Sequence, residues 1–181
     1  MTKEQALDIN FLIGNCKRLY FFGLGFIQVK IDEEYRVHFY TNKWQPTATE
    51  DEIHNHRYCF ESTVVKGKVS QEIYEVATGL SYWKIADNCA PGSMAKAEIE
   101  KGFDARLIYR ATYAPGSTYY VDSETFHKFF AQDAITLLQR GPVLKEKADI
   151  LFPRDTQLTC PFSVNVPDVE LWAEIGRILR D

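Results

Sequence analysis

The chain has no paired cysteines, no long apolar run, no basic cluster and few histidines, and each shortage excludes a class of protein. The four cysteines, Cys16, Cys59, Cys89 and Cys160, form no C-x-x-C pair, which argues against a zinc knuckle and leaves free thiols as the expectation. No apolar stretch reaches the roughly 20 residues that cross a bilayer as a helix, so no membrane partner is expected. The 21 basic residues are scattered and the net charge is −4, a poor match to a nucleic-acid binder, which needs clustered Lys and Arg against phosphates. The opening Met-Thr-Lys-Glu-Gln lacks the basic-then-apolar layout of a secretory leader, and a cytoplasmic protein is expected. Repeats and low-complexity tracts are also missing.

What the chain does have is aromatic and β-branched surface. Aromatic residues make up 14% of its 181 positions, a composition that suits pleated sheets. Short runs of alternating polarity predict strands over 26–29, 35–40, 53–65, 68–76, 105–113, 118–121, 128–131 and 135–139. Asp32-Glu33-Glu34 reads as a hairpin loop and Gly67 as a tight turn. Pro46 marks a loop over 42–52, Gly141-Pro142 ends the last strand, and 78–101 is a long, less regular excursion. Apolar residues at helical spacing predict an N-terminal helix over about 3–22, ended by Gly23, and a C-terminal helix over about 167–180 behind Pro167. The economical reading is a single mainly β domain over 1–181, with a closed barrel or sandwich over about 25–142 and a helix at each end.

Two of only four histidines fall in Ile53-His54-Asn55-His56. On an extended strand, residues i and i+2 face one side about 6–7 Å apart, and two imidazoles so placed can converge on one ion. A third ligand must come from elsewhere. His127, at the start of a strand after the polar Asp122-Ser123-Glu124-Thr125 turn, is the candidate; a solvated pair without metal is the plainer alternative. His38 reads as an ordinary strand histidine.

The segment from His54 to Gly67 resembles the first motif of the cupins: His-x-His, then a Glu at the usual distance (Glu61), a short apolar strand and a Gly. The Glu61–Gly67 gap is one residue short. Pro115-Gly116 followed by His127 resembles the second motif in a looser spacing. The resemblance covers about residues 35–142. It implies a cupin-type double-stranded β-helix, or jelly-roll barrel, around one divalent metal ion. Fe(II) is the expected metal, with Zn, Mn or Ni as alternatives, and His54, His56 and His127 are the ligands. Glu61 is an open fourth: counted from His56 it stands at the ligand position, whereas counted back from Gly67 that position falls on Phe60. The three-histidine set looks like that of the thiol dioxygenases, but Leu138 and Arg140 stand where those enzymes carry an active-site His and Tyr. Cys59 lies near their crosslinked cysteine and reads more simply as a buried small hydrophobe.

A metal-dependent oxidoreductase of Fe(II) dioxygenase type, acting on a small polar molecule, is the leading expectation. An isomerase or epimerase on the same site, or a non-catalytic ligand-binding module, are the alternatives. Strand parity adds Arg36, Tyr40, Phe60 and Ser62 as pocket candidates. Arg36, His38 and Tyr40 share one face, from which Arg36 could clamp a carboxylate if that face is inward; a solvated face is the plainer reading. Tyr58, Tyr119 and Tyr120 read as core or rim aromatics. The resemblance also implies a homodimer.

Overall fold

The computed structural model describes residues 1–45, 53–88, 97–131, 133–156 and 164–181. Pro46, Cys89, Pro91, Gly92 and Cys160, with the expectations attached to them, lie outside the described residues.

The N-terminal helix is shorter than expected and divided. In α1 (Lys3–Leu7) the Thr2 side chain accepts from Gln5 N while Gln5 Oε1 accepts from Thr2 N, a reciprocal cap. Asp8 then ends α1 and caps α2 (Ile9–Asn15) by accepting from Asn10 N and Phe11 N. Residues assigned by periodicity to the same helix instead form β1 (Arg18–Phe22), which pairs antiparallel with β2 (Phe26–Lys30). A run of Leu-Tyr-Phe-Phe gains more from a sheet ladder than from a helix whose last turn holds Gly14 and Asn15.

The hairpin between β2 and β3 (Tyr35–Tyr40) is as expected, with Asp32 Oδ1 accepting from Glu34 N and Tyr35 N at 2.8 and 2.6 Å. β4 (Ile53–His54) has only two residues and is separated from β5 (Tyr58–Lys66) by a break at 55–57. Gly67, at φ 72°, turns the chain into β6 (Val69–Asp87). The excursion is a ribbon: β6 runs 19 residues and pairs with β7 (Ile99–Tyr113) from Val69↔Tyr113 to Ile85↔Ile99. β8 (Thr118–Val121) and β9 (Phe126–Ala131) follow. β10 (Ile135–Val143) passes through Gly141-Pro142 rather than stopping there, because its register with β5 slips between Arg140 and Val143 and no ladder bond is asked of the proline. β11 (Ala148–Pro153), unforeseen, carries the barrel past residue 142.

The strands form two antiparallel sheets, ordered β1-β2-β3-β10-β5-β8 and β11-β4-β9-β6-β7. From β3 to β6, and again from β8 to β11, successive strands alternate between the sheets, the winding of a double-stranded β-helix. The mainly β fold with a helix at each end is thus the one expected. The six-stranded sheet is covered on both faces over β1, β2, β3 and the start of β10. Outside it, Phe21, Ile27, Val37, Phe39 and Ile135 pack with Leu12 of α2 and with Leu171, Ile175 and Ile178 of α3 (Asp168–Arg180). Inside, Tyr40, Phe60, Val64, Tyr119 and Leu138 form the barrel core. No helix among the described residues is long and apolar enough to cross a membrane.

Candidate metal centre

Strand pairing brings two of the three histidines together, and the turn held by Asn55 adds the third. His54, the last residue of β4, is the antiparallel partner of His127 on β9 and of Ile150 on β11. Two residues on, His56 has left the ladder, its N–H donating to Ser123 O at 3.4 Å. Between them Asn55, 1% exposed, is tied to β11 three times. Its N–H donates to Asp149 O (3.1 Å), its Nδ2 donates to Asp149 Oδ2 (3.1 Å), and its Oδ1 accepts from Asp149 N (2.7 Å). Asn55 therefore holds the His-x-His segment in place, a role with no local sequence signal, since its partner lies 94 residues away.

The three rings form a near-equilateral group, with centroids 5.0 Å (His54–His56), 4.9 Å (His54–His127) and 4.9 Å (His56–His127) apart and planes steeply inclined. Nε2 of His56 and Nε2 of His127 are 2.8 Å apart. Two ligands held at about 2.1 Å and at right angles to one another are separated by about 3.0 Å. One ligand atom from each of the three rings lies within 4.8 Å of the others. This donor set fits a divalent metal that accepts imidazole, and the proton shared by the His56 and His127 nitrogens is the one an ion would displace.

The electrostatics favour the same outcome. Burial, then the charge of neighbouring His54, holds both His56 and His127 well below the ordinary histidine range; Arg36 adds to the effect on His56. Both rings are neutral at pH 7, the form that ligates metals. Gln71 on β6 backs the fully buried His127, its amide 3.3 Å from Nδ1 and 3.2 Å from the Tyr113 hydroxyl. As placed, Gln71 Nε2 faces Nδ1 and Oε1 accepts from the Tyr113 hydroxyl; with the amide turned over, Nδ1–H donates to Oε1 and the Nε2 lone pair faces the centre, the arrangement that a metal on His127 requires. A glutamine standing between Val69 and Ile73 on one face of β6 is the one sequence trace of it. Phe60 (4.9 Å from the His56 ring) and Phe129 (4.5 Å from His127) wall the group.

Glu61 is not in this group. Its side chain is exposed on the outer face of β5, between Gln139 and Tyr120 on the neighbouring strands, while Phe60, Ser62 and Val64 face inward. The reading that puts Phe60 inward is the right one, because β5 alternates regularly from Tyr58 to Val64, whereas the break at 55–57 resets parity counted from His56. The solvated reading of Arg36, His38 and Tyr40 also fails. All three are buried, at 9, 8 and 7% exposure, on the barrel side of β3. Tyr40 and Ser62 belong to the core around Tyr119, and Tyr120 is an outer-face residue, 63% exposed. Cys59 is half-buried rather than buried, its thiol donating to Asp122 Oδ2 at 3.5 Å.

His38 provides a test of the barrel interior. Its Nε2 is 3.1 Å from Gln28 Oε1 and its ring lies 4.5 Å from that of Phe26. Burial, with the nearby Arg36 charge, lowers its pKa from 6.5 to about 3. Between those values the unfolded chain carries the extra proton, so the stability held by the neutral ring is complete above about pH 6.5. It falls as acid is added, by up to about 1.4 kcal/mol per pH unit. Urea unfolding of metal-free protein at pH 7 and pH 5 should show wild type losing about 2 kcal/mol more than His38→Asn; equal losses would contradict the buried neutral ring.

No protein-family model and no curated protein matches the chain. Solved structures do. FeII HppE aligns with TM-score 0.38 and 9% identity over 65% of this chain and 50% of its own. Hydroxypropylphosphonic acid epoxidase from S. wedmorenis gives 0.36 and 11% over 64% and 50%. Hydroquinone 1,2-dioxygenase PnpCD, in complex with Cd2+ and 4-hydroxybenzonitrile, gives 0.38 and 13% over 79% and 78%. The alignment therefore spans about half the length of the first two proteins.

Proposed function

We propose that the chain is a metal-dependent oxidoreductase of the cupin type, holding one divalent ion on His54, His56 and His127 and acting on a small polar molecule. The observation that carries this reading is the convergence of three imidazoles from two segments 71 residues apart, with two Nε2 atoms 2.8 Å from one another. Fe(II) is the ion we assign, since a three-imidazole set leaves coordination positions free and iron bound there would supply dioxygen chemistry.

The chain's own groups have defined parts in this reading. Gln71 fixes the tautomer of His127. Asn55 fixes the backbone between the paired histidines. Phe60 and Phe129 exclude water from one side of the centre, which strengthens every polar contact made there. The Tyr58 ring centroid is 5.7 Å from that of His56, and its hydroxyl accepts from Arg36 Nη1 at 2.7 Å.

Iron-loaded protein is expected to consume oxygen with its substrate and to be silent under anaerobic conditions. Screening candidate small polar substrates in an oxygen electrode checks this. Full anaerobic turnover would replace the oxygenase reading with isomerisation at the same centre.

A further inference from the structure

Two cations, Arg36 buried and Arg140 half-buried, remain without a part in this account. Arg36 on β3 and Arg140 on β10 both stand against the ring of Tyr58, their guanidinium carbons 5.3 and 5.0 Å from its centroid. Register brings them there: Arg36 lies opposite Leu138, and Arg140 is two residues further along β10, on the same face as Leu138. Arg36 is 9% exposed and its Nη1 donates to the Tyr58 hydroxyl at 2.7 Å. The Nε atoms of both arginines are buried and make no hydrogen bond.

That combination is unfavourable for the protein by itself. A guanidinium carries five N–H donors and keeps its charge at any working pH. Two of them against one ring repel, and buried donors left unmade are costly. Among the described residues no carboxylate lies within ion-pairing distance of Arg36. Glu33 reaches Arg140 Nη2 only at 3.7 Å, is 76% exposed, and is held by Lys30 at 2.5 Å. A surface cleft lined by Glu33, Glu34, Phe60, Glu61, Gln139 and Arg140, among others, opens beside Arg140; Arg36 and Tyr58 lie behind it, outside its lining. Phe60, the strand partner of Arg140, borders both the cleft and the His56 ring, and the Tyr58 ring against which both arginines stand is 5.7 Å from that of His56.

We infer that Arg36 and Arg140 form the subsite for a doubly charged oxyanionic head group of the substrate, with the Tyr58 hydroxyl donating a third hydrogen bond. The subsite deepens the function proposed above and rests on it for the reaction, but not for binding. Guanidinium forks match the paired oxygens of carboxylates and phosphonates, and two positive charges match a dianion better than a single carboxylate. The substrate class is thus a small phosphonate, phosphate ester or dicarboxylate.

Calorimetric titration of methylphosphonate, malonate and acetate into metal-free and zinc-loaded protein tests this. Either dianion should bind metal-free wild type at least tenfold more tightly than acetate, and the better of the two distinguishes a phosphorus from a carbon head group. Arg36→Met and Arg140→Met should each weaken that binding tenfold or more while zinc uptake stays within twofold of wild type. Arg36→Lys, which keeps the charge and loses the fork, should lose about fivefold and serves if the methionine variant does not fold. Equal binding by the arginine variants, acetate binding as tightly as the dianions, or zinc uptake without dianion binding would overturn the subsite. Dianion binding by a protein that takes up no metal would support the subsite and remove the metal centre instead.

Discussion

Zinc or ferrous ion in excess should raise the melting temperature of the wild-type protein by about 10 °C and should leave His127→Ala unmoved. The magnitude follows from linkage. A ligand present at about 1,000 times its dissociation constant stabilises the folded state by about 4 kcal/mol, and a chain of this size gains roughly 2–4 °C per kcal/mol. His54→Ala and His56→Ala should behave like His127→Ala, since removal of any one ring leaves two ligands. The metal-free folds should survive, because strand pairing and not the imidazoles holds these segments: His54 and His127 are ladder partners and Asn55 is anchored to β11. Asn55→Ala should be intermediate, keeping all three rings but weakening metal affinity about 10- to 100-fold, the usual effect of removing a group that orients a ligand. Glu61→Ala should match wild type. Differential scanning calorimetry with and without metal reads the whole series, and metal lost in Glu61→Ala would overturn the three-histidine assignment.

Features that depend on neighbours in sequence were legible before any coordinates, and features that depend on distant partners were not. The histidine pair and the Gly67 turn announce themselves locally. The pairing of His54 with His127 was inferable only because histidine is so scarce that one candidate third ligand stood out. Arg36 shows where parity stops informing. Alternation groups it with His38 and Tyr40, but β3 is buried on both faces, by helices outside and by the barrel core within, so polarity cannot say which face is in. The N-terminal error has a related cause. Cys16 and Leu19 pack on the same core as Ile9 and Leu12, so a helical stripe continues numerically into a strand that serves the same surface. β11 was hidden because Gly141-Pro142 looks like an end, whereas the sheet tolerates it at a slip in register.

Gly67→Ala is the backbone change expected to cost most, about 3 kcal/mol or more, and Gly116→Ala is its control. Both glycines have positive φ, 72° and 89°, a conformation that costs an L-residue about 1–2 kcal/mol. They differ in what a new Cβ would meet. At Gly116 nothing lies within 4 Å, so conformational strain is the whole cost. At Gly67 the methyl would stand 2.8 Å from Ala134 Cα and 2.8 Å from Asp133 O, backbone atoms at the start of β10 that cannot swing aside. Relief requires the β5–β6 turn to move away from β10, which pairs with β5 along the sheet and carries Arg140. The same turn joins the strand of Phe60 to the strand of Gln71, so its displacement reaches two supports of the histidine group. Denaturant unfolding should therefore separate the two variants by about 2 kcal/mol, the steric part of the cost. Metal affinity should fall in Gly67→Ala and not in Gly116→Ala, and equal stabilities would show that β10 yields and that the close approach at Gly67 is not what fixes the crossing between the sheets.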